Sequence, residues 1–336
     1  MKKVELIVLD DYESELAAAP AMSRLEELAN VHILNRPTQL DDPLLKTAQV
    51  LLALRERTTL DARFLEACPQ LELVLQTGGH AYHIDETAAS RQGTVIALGR
   101  RVTWPTVVIP ELVFALMLAL VRQIQPLATG MQNGGWPGLI GDSLAGRTLG
   151  ILGYGRLGRP VARLGEAFGM KVVAWHRTGS SPGKDLSRVA RLPLHELLSI
   201  SDVVTIHLRL SDESRGLLNQ EALKMLKPGA ILINTSRGAI VDEPALIEAL
   251  REKRLAGAGL DVFSTEPLPA SSELRRLPNV LLTPHVGWKV RDVLHEFVQI
   301  AADQLDAWLT RGLSKDEVLN PLAMTIDRPR MGSLAR

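Results

Sequence analysis

The sequence is poor in the features that mark several large classes of protein. Cys68 is the single cysteine among 336 residues, so no disulfide can form within the chain. Aromatic residues make up 4%, and 38 basic residues balance 38 acidic residues to a formal net charge of +0. Nucleic-acid binding needs a basic surface or many stacking aromatic rings. We therefore expect no nucleic-acid partner, and the low cysteine content favours a reducing cytoplasm.

Long apolar runs are also missing. The longest run, LVFALMLALV at 112–121, has about half the length that a membrane-spanning helix requires. It predicts a helix buried in a core or in a contact between subunits, and we expect no membrane partner. The first residues, MKKVELIVLDD, are interrupted by Glu5 and end in two aspartates, which predicts a first strand and not a signal peptide.

Short apolar runs alternate with amphipathic helical patterns along the whole chain, which predicts βαβ units and parallel sheets. A chain of this length favours two domains. The first set of strands is predicted at 4–9, 31–33, 50–54, 73–76 and 95–98. After a polar, Gly-rich connection at 129–142, a second set of six is predicted at 148–152, 171–175, 203–207, 230–234, 259–262 and 280–283. The predicted fold class is α/β, with two Rossmann-like doubly wound parallel-sheet domains and a cleft between them.

The long helix predicted at 289–309 could run back to the first domain, so we expect that domain to be discontinuous. Residues 1–103 plus 289–336 are predicted to bind the substrate, and residues 104–288 are predicted to bind a dinucleotide. The tail beyond Asn320 is basic and only weakly apolar, so we expect it to be poorly ordered.

The segment GILGYGRLG at 150–158 follows a predicted strand and precedes a predicted helix. Its glycines have the spacing of a dinucleotide-binding loop, in which they allow a tight turn, close approach of a pyrophosphate, and packing of the helix on the strand. The helix N-terminus then offers unpaired N–H groups to the anion. The predicted cofactor contacts in this loop are Gly153, Tyr154, Gly155, Arg156, Leu157 and Gly158.

The second strand of this domain runs into His176, Arg177 and Thr178. His176 stands 18 residues after Gly158, near the position where an NAD-binding fold carries an acidic residue for the ribose hydroxyls. Arg177 and Thr178 instead suit a 2′-phosphate, through charge-assisted hydrogen bonds. NADP is therefore the favoured cofactor. NAD stays possible, in which case the three side chains form only a solvated loop.

Three more polar stretches stand at predicted strand ends: NTSRG at 234–238, LDVFSTEP at 260–267 and TPHVG at 283–287. Ligands of an open α/β sheet lie beyond the carboxyl ends of its strands, so these stretches can converge on one crevice. Arg237 can bind a carboxylate through two hydrogen bonds, His285 can exchange a proton near neutral pH, and Glu266 can stabilise an imidazolium.

With these motifs, the chain resembles the D-isomer-specific 2-hydroxyacid dehydrogenases, in the branch of the glyoxylate and hydroxypyruvate reductases, over nearly all of residues 1–320. The segments that carry the resemblance are GRTLGILGYGRLG, SDVVTIHLRL, KPGAILINTSRGAIVDEPALIEAL, GAGLDVFSTEPLP and NVLLTPHVGW. It implies a homodimer that reduces a small 2-oxo acid to the D-2-hydroxy acid, and the reverse. Arg237 would orient the substrate carboxylate and polarise the 2-oxo group, His285 would be the acid/base, and Glu266 would pair with His285.

The resemblance also implies that Asp261 lies beside the nicotinamide carboxamide. Further predicted cofactor contacts at the strand ends are His207, Thr235 and Ser236. In the first domain, QTGGHAYHID at 76–85 resembles the family's substrate loop, in which the backbone N–H groups of Gly78 and Gly79 would bind the carboxylate. Arg55, at a strand end, either faces the predicted cleft and binds substrate or forms a surface ion pair.

This sequence departs from the family pattern at two positions. His80 stands where a glycine is usual, which alters the expected substrate pocket, and Arg209 replaces the usual proline after His207, either near a phosphate or in solvent. Trp288 and Trp104 form either a wall for an apolar substrate or interface packing. The sequence does not identify the 2-oxo acid.

Other functions stay open at this stage. The family includes dinucleotide-sensing corepressors, and the presence of Arg237, Glu266 and His285 does not exclude that role. A formate-type dehydrogenase is less favoured, because that branch carries a glutamine in place of Glu266. His80 and His83 have a spacing seen in metal sites, but no further ligands complete a set, so we expect no metal.

Overall fold

The structure is a computed structural model of the chain, and it describes residues 3–175 and 189–325. The chain divides into two compact units: a first unit of Met1–Trp104 with Lys289–Arg336, and a second unit of Pro105–Trp288. Each unit contains its own parallel β-sheet flanked by helices. This confirms the prediction of two parallel-sheet α/β domains.

The first unit is built on a five-stranded sheet whose strand order is β2-β1-β3-β4-β5, with every neighbouring pair parallel. The strands are short runs of mainly Val, Leu and Ile, and β3, β4 and β5 are buried throughout. The strands are β1 (Val4–Val8), β2 (Ala29–Ile33), β3 (Val50–Ala53), β4 (Leu73–Gln76) and β5 (Val95–Leu98); the helices between them are α1 (Met22–Leu28), α2 (Ala62–Glu66) and α3 (Glu86–Gln92).

The second unit has a seven-stranded parallel sheet of order β12-β11-β10-β9-β6-β7-β8. Its strands are β6 (Thr148–Leu152), β7 (Lys171–Trp175), β8 (Ala190–Arg191), β9 (Val203–Ile206), β10 (Ile231–Asn234), β11 (Gly257–Leu260) and β12 (Val280–Leu282). Its helices are α4 (Pro105–Val121), α5 (Ile124–Gln132), α6 (Gly158–Ala167), α7 (Leu194–Ile200), α8 (Gln220–Met225) and α9 (Glu243–Arg251). The strand order reverses between β6 and β9, which is where such sheets bind ligands.

Successive residues of the central strands face opposite sides of this sheet, as the two-residue period of a strand requires. Ile231 and Val203 pack with α4 and α6, whereas Leu232 and Val204 pack with α7, α8 and α9. Gly259 in β11 lets α4 approach closely, because a Cβ there would lie 3.0 Å from the Cβ of Leu116. The sheet is therefore covered on both faces, and its strand ends remain to carry polar residues.

The predicted apolar helix is longer than its apolar run, since α4 begins at Pro105, and much of it is buried in the second unit. Within residues 3–175 and 189–325, no single helix is both long and apolar enough to cross a membrane. The pair α4 and α5 reaches that length and composition only together, with a bend of 66° between them.

The long helix α10 (Arg291–Thr310) belongs to the first unit, where it packs against α1 and β4. Asn320 follows it and is buried; its side chain accepts from the backbone N–H of Ile96 and donates to the carbonyl of Thr94. These hydrogen bonds hold a 3-10 turn, Pro321–Thr325, against β5 and α3. The expected disorder beyond Asn320 is therefore wrong for residues 321–325.

Two elements of the second unit differ from the prediction. Helix α5 occupies the beginning of the predicted connection at 129–142, where Gly130 and polar side chains hide the helical pattern. Strand β8 was not predicted, because two residues are too few to show an alternation. The other strands agree with the prediction to within two residues at each end.

Candidate active site

The glycine loop follows β6 in the second unit. Gly153 has a φ of 102°, which favours glycine, and a Cβ there would lie 2.8 Å from the carbonyl carbon of His207. A Cβ on Gly158 would overlap the Gly153 carbonyl oxygen, so the turn itself requires glycine there. Gly155 is exposed, and apart from its chain neighbours no atom of residues 3–175 and 189–325 lies within 4 Å of the position of a Cβ. The loop is thus packed closely against the protein at Gly153 and Gly158, and at Gly155 it leaves room for a ligand to approach the backbone.

Helix α6 begins at this loop, and its N-terminus suits an anion. Leu157, the residue before the helix, provides no side-chain cap, and the first turn contains no acidic residue. The Arg159 N–H donates to the Gly155 carbonyl at 3.1 Å and Pro160 has no N–H, so what suits an anion here is the positive end of the helix without a side-chain cap or an acidic residue in its first turn. Two buried polar atoms, Nε of Arg159 and Oγ1 of Thr235, have no hydrogen-bond partner within the described part of the chain. These features fit a dinucleotide, whose phosphates and hydroxyls would supply the missing partners.

Strand β7 ends beside the same loop, because the Gly153 N–H donates to the carbonyl of Trp175 at 2.8 Å. His176, Arg177 and Thr178 come next in the sequence and lie outside the described residues. Of the other loop residues, Arg156 is exposed, and Tyr154 and Leu157 are half-buried. The choice between NADP and NAD therefore stays a prediction.

His207 ends β9 against the glycine loop. One ring nitrogen, Nε2, lies 3.0 Å from the Thr205 hydroxyl, and burial lowers the pKa of His207 to about 4. The ring is therefore neutral at physiological pH. It places no positive charge beside the loop.

Arg237 stands in a loop that Asn234 shapes from the end of β10. The Asn234 amide accepts from the N–H of Ser236 at 3.0 Å and donates to the carbonyl of Arg237 at 3.0 Å. The Ser236 hydroxyl donates to the carbonyl of Leu208, which joins the loops after β9 and β10. Ser236 thus fixes the loop, whereas the neighbouring Thr235 hydroxyl has no hydrogen-bond partner among the described residues.

Gly238 brings the Arg237 loop against the loop that contains Glu266. A Cβ on Gly238 would overlap the backbone of Phe263, so only glycine allows this approach. The Phe263 N–H in turn donates to Oε1 of Glu266 at 2.9 Å. The other carboxylate oxygen, Oε2, lies 2.7 Å from Nδ1 of His285. The structure therefore brings Arg237, Glu266 and His285 to one group of strand-end loops.

The charges of this group favour an ionised Glu266. Partial burial would raise the pKa of Glu266, but the hydrogen bonds from His285 and Phe263, with the positive charges of His285 and Arg237, outweigh it and lower the pKa. The His285 ring is therefore oriented through Nδ1 by a carboxylate, and Nε2 is the nitrogen left for a substrate.

Asp261, for which the resemblance implies a place beside the nicotinamide carboxamide, contacts the loop that contains His285. Its buried carboxylate accepts from the Thr283 hydroxyl at 2.5 Å and from the N–H groups of Val286 and Gly287 at 2.8 and 2.9 Å. Between these partners His285 adopts a φ of 52°, the left-handed region that non-glycine residues avoid. Burial raises the pKa of Asp261 despite these hydrogen bonds. Asp261 thus holds the His285 loop, and a nicotinamide contact stays a prediction.

In the first unit, Arg55 follows β3 and also has a left-handed φ, 56°. Its N–H donates to the Thr77 hydroxyl at 2.8 Å, and the Gln76 amide donates to its carbonyl at 3.3 Å. The guanidinium lies over Gly78, whose φ is 93°, so a Cβ on Gly78 would overlap Nη1 of Arg55. Gly79 is next to it. Arg55 forms the ion pair that the sequence offered as an alternative, with 3.3 Å between its Nη2 and Oε1 of Glu56, and its own side chain is only 11% exposed.

Sequence reasoning did not predict that Asn234, Asp261, Thr77 and Gln76 hold these loops. The only local signal is their type and place, since Asn, Asp and Thr directly after a strand often bind nearby backbone. In residues 3–175 and 189–325, no group of three or more His, Cys, Asp or Glu side chains could hold a metal ion.

Comparison with known proteins gives consistent matches. A family model described as "D-isomer specific 2-hydroxyacid dehydrogenase, NAD binding domain" matches residues 114–287. A glyoxylate reductase of Thermococcus litoralis is 35% identical over 279 residues, covering 80% of this chain and 83% of that protein. A glyoxylate/hydroxypyruvate reductase B of Pectobacterium carotovorum is 35% identical over 307 residues, covering 89% and 94%. A crystal structure of a putative D-3-phosphoglycerate dehydrogenase from Ralstonia solanacearum superposes with a TM-score of 0.86 at 32% identity, covering 96% and 99%.

Proposed function

The chain belongs to the family of D-isomer-specific 2-hydroxyacid dehydrogenases, and from this premise we propose that it reduces a small 2-oxo acid to the D-2-hydroxy acid. Membership makes the protein an oxidoreductase that uses a nicotinamide dinucleotide. The observation that carries the proposal is the group of Arg237, Glu266 and His285 at strand ends of the unit that also contains the glycine loop.

Each member of this group has one task in the proposed reaction. Arg237 binds the substrate carboxylate and polarises the 2-oxo group, because a guanidinium offers paired donors to such oxygens. Glu266 holds the ring of His285 through Nδ1, so the proton leaves from Nε2. In the first unit, the N–H groups of Gly78 and Gly79, with Arg55, bind the substrate.

The cofactor would be held by the glycine loop, the N-terminus of α6 and the Thr235 hydroxyl. When bound, it supplies the hydride that reduces the carbonyl carbon. As negative charge develops on the carbonyl oxygen, Arg237 stabilises it and His285 delivers a proton to it. Reduction therefore consumes one proton, and in the reverse direction His285 accepts it. Arg177 and Thr178 would favour NADP by binding its 2′-phosphate.

The test is a rate assay with NADPH and NADH against glyoxylate, hydroxypyruvate and pyruvate. We expect oxidation of the reduced cofactor by at least one of these acids, with the D-isomer as product where the product is chiral. We also expect a higher kcat/KM for NADPH than for NADH, and a loss of that preference in Arg177→Ala. Failure of both cofactors with all three acids would contradict the proposed function, and a clear NADH preference would contradict only the cofactor assignment.

We also propose that the functional protein is a homodimer. The segment from α5 to Ile140 exposes several large apolar side chains, and two of them, Trp136 and Ile140, are 88% and 89% exposed. Apolar groups this exposed and this close in sequence are typical of a surface covered by a partner. A second copy is the partner that the family resemblance implies.

The dimer can be tested by sedimentation equilibrium. The unchanged protein should have the mass of two chains, and Trp136→Ser combined with Ile140→Ser should shift it toward one chain. The matched control is Leu322→Ser, which removes another highly exposed apolar side chain, in the first unit. An unchanged protein with the mass of one chain would contradict the proposal.

A further inference from the structure

Arg55, which the proposed function assigns to substrate binding, forms a group with two side chains that have no role in it; we refer to Arg55, Glu56 and His80 as the Arg55 cluster. Nη2 of Arg55 lies 3.3 Å from Oε1 of Glu56 and 3.3 Å from Nε2 of His80. Nδ1 of His80 lies 3.1 Å from the same oxygen of Glu56. One carboxylate oxygen is thus shared by a guanidinium and an imidazole.

The cluster has a defined hydrogen-bonding polarity. A guanidinium only donates, so Nε2 of His80 accepts from Nη2 of Arg55, and Nδ1 is the ring nitrogen on the side of Glu56. Tyr82 stacks on the His80 ring with 5.0 Å between the ring centroids and 20° between the planes. The side chains of Arg55, Glu56 and His80 are 11%, 34% and 26% exposed, so the cluster is held in place and still meets solvent.

The backbone places the Arg55 cluster next to Gly78 and Gly79. The left-handed Arg55 is fixed by Thr77 and Gln76, and its guanidinium covers Gly78, as described above. His80 follows Gly79 directly. The cluster therefore stands on the loop whose Gly78 and Gly79 bind the substrate in the proposed function.

We infer that the Arg55 cluster selects the substrate by its C3 substituent, favouring a short group that forms hydrogen bonds over an apolar group of the same size. The inference rests on the proposed function, which places the substrate at Gly78 and Gly79. A hydroxyl beside the cluster can donate to Glu56 or accept from Arg55. A methyl group there would remove water from charged side chains and return no hydrogen bond.

Hydroxypyruvate and 2-oxobutyrate test this directly, because they differ by a hydroxyl in place of a methyl at the same position. We expect kcat/KM for hydroxypyruvate to exceed that for 2-oxobutyrate by at least about tenfold, the scale of one hydrogen bond to a charged group. The variants Glu56→Gln and His80→Ala should each lower this ratio by about three- to tenfold, mainly through a higher KM for hydroxypyruvate.

The matched control is His32→Ala. His32 also pairs with a glutamate of the first unit, Glu5, at 2.9 Å, but it lies on β2 outside the cluster. This variant should leave the ratio unchanged. Thermal unfolding and cofactor binding, measured for every variant, separate a change of selectivity from a loss of the fold.

The outcomes distinguish the inference from the proposed function. If the unchanged protein reduces 2-oxo acids with a ratio near one, or if both cluster variants keep the original ratio, the inference is wrong and the proposed function stands. An equal change in His32→Ala would also overturn it. If no 2-oxo acid is reduced at all, the proposed function is wrong and the inference with it.

Discussion

His285 in the second unit and Arg55 in the first unit have the same local structure. Each is a non-glycine residue in the left-handed region shortly after a parallel strand, β12 and β3 respectively. Each is held by the residue that directly follows the neighbouring strand. Asp261 follows β11 and holds the His285 loop, and Thr77 follows β4 and holds Arg55. In both units, a residue at the end of one strand thus fixes a strained residue that follows the neighbouring strand.

Asp261 and Thr77, which we call the two holding residues, differ in the strength of their hydrogen bonds. The Asp261 carboxylate accepts three hydrogen bonds, two of them from backbone N–H groups, whereas the Thr77 hydroxyl accepts one and donates another to the carbonyl of Ala53. A carboxylate acceptor forms hydrogen bonds roughly twice as strong as those of a neutral hydroxyl. A strained residue of this kind costs about 1–3 kcal/mol and persists only where its surroundings fix it. The hydrogen bonds that fix the His285 loop are therefore stronger and more numerous than the hydrogen bond from Arg55 to Thr77.

The largest effect on turnover should follow from removing the side chains of His285 and Arg237 themselves. We expect His285→Ala and Arg237→Ala each to lower kcat by at least about one hundredfold, the scale of one positioned acid or charge-stabilising donor. Cofactor affinity, measured by fluorescence titration, should change little. His195→Ala removes an exposed histidine of α7 and serves as the control. Near-normal turnover in either of the first two variants would contradict the proposed mechanism.

The next effect tests the stronger holding residue. In Asp261→Asn, an amide cannot accept from all three donors, because its NH2 group would face one of them. We expect kcat to fall by about tenfold or more, as His285 loses its fixed position, with about 1–3 kcal/mol lost from the free energy of unfolding.

Asp242→Asn is the matched control for this variant. Asp242 caps α9 by accepting from the Ala245 N–H at 3.1 Å, so its replacement should affect stability only. A weaker cofactor affinity in Asp261→Asn with an unchanged kcat would instead indicate a direct nicotinamide contact. In that case Asp261 and Thr77 would not have the same role.

A smaller effect concerns pH and the second support of His285. Because the pKa of Glu266 in the folded protein lies below its usual value of 4.5, ionised Glu266 stabilises the fold above that value, and this contribution is lost as pH falls through the lowered pKa. The side chain is 35% exposed, so we expect less than about 1 kcal/mol.

Glu266→Gln tests this contribution. Denaturant unfolding should show a stability difference from the unchanged protein at pH 7 that shrinks under acidic conditions. At pH 7, kcat should fall about tenfold, because an amide orients the imidazolium less strongly than a carboxylate. A stability difference that grows toward low pH would contradict the assigned direction of the pKa shift.

These structural features were predictable from the sequence to different degrees. Strands such as β4 and β10 are compact runs of Val, Leu and Ile that end in a polar residue, so their limits could be predicted. Helix α5 and strand β8 leave no comparable pattern. For the candidate site, the residue types at strand ends indicate where chemistry can occur.

The contacts that hold the site could not be predicted in the same way. Asp261 reaches backbone groups 25 and 26 residues further along the chain, and Thr77 reaches back 22 residues to Arg55. Such pairings depend on which strands are neighbours, and a local pattern carries no information about that. For the same reason, the sequence did not indicate that Asp261 holds the loop that contains His285.

The smallest effect tests the weaker holding residue. Thr77→Val removes the acceptor for the Arg55 N–H at nearly constant volume, so we expect about 1 kcal/mol of lost stability and a KM for the 2-oxo acid raised by about threefold, with kcat unchanged. Thr94→Val is the control, since the buried Thr94 hydroxyl donates to the carbonyl of Leu71 in the same unit, away from Arg55. It should lose similar stability without a change in KM. If the two variants alter KM equally, or if Thr77→Val lowers kcat as Asp261→Asn does, then Thr77 does not act by positioning a substrate-binding cation.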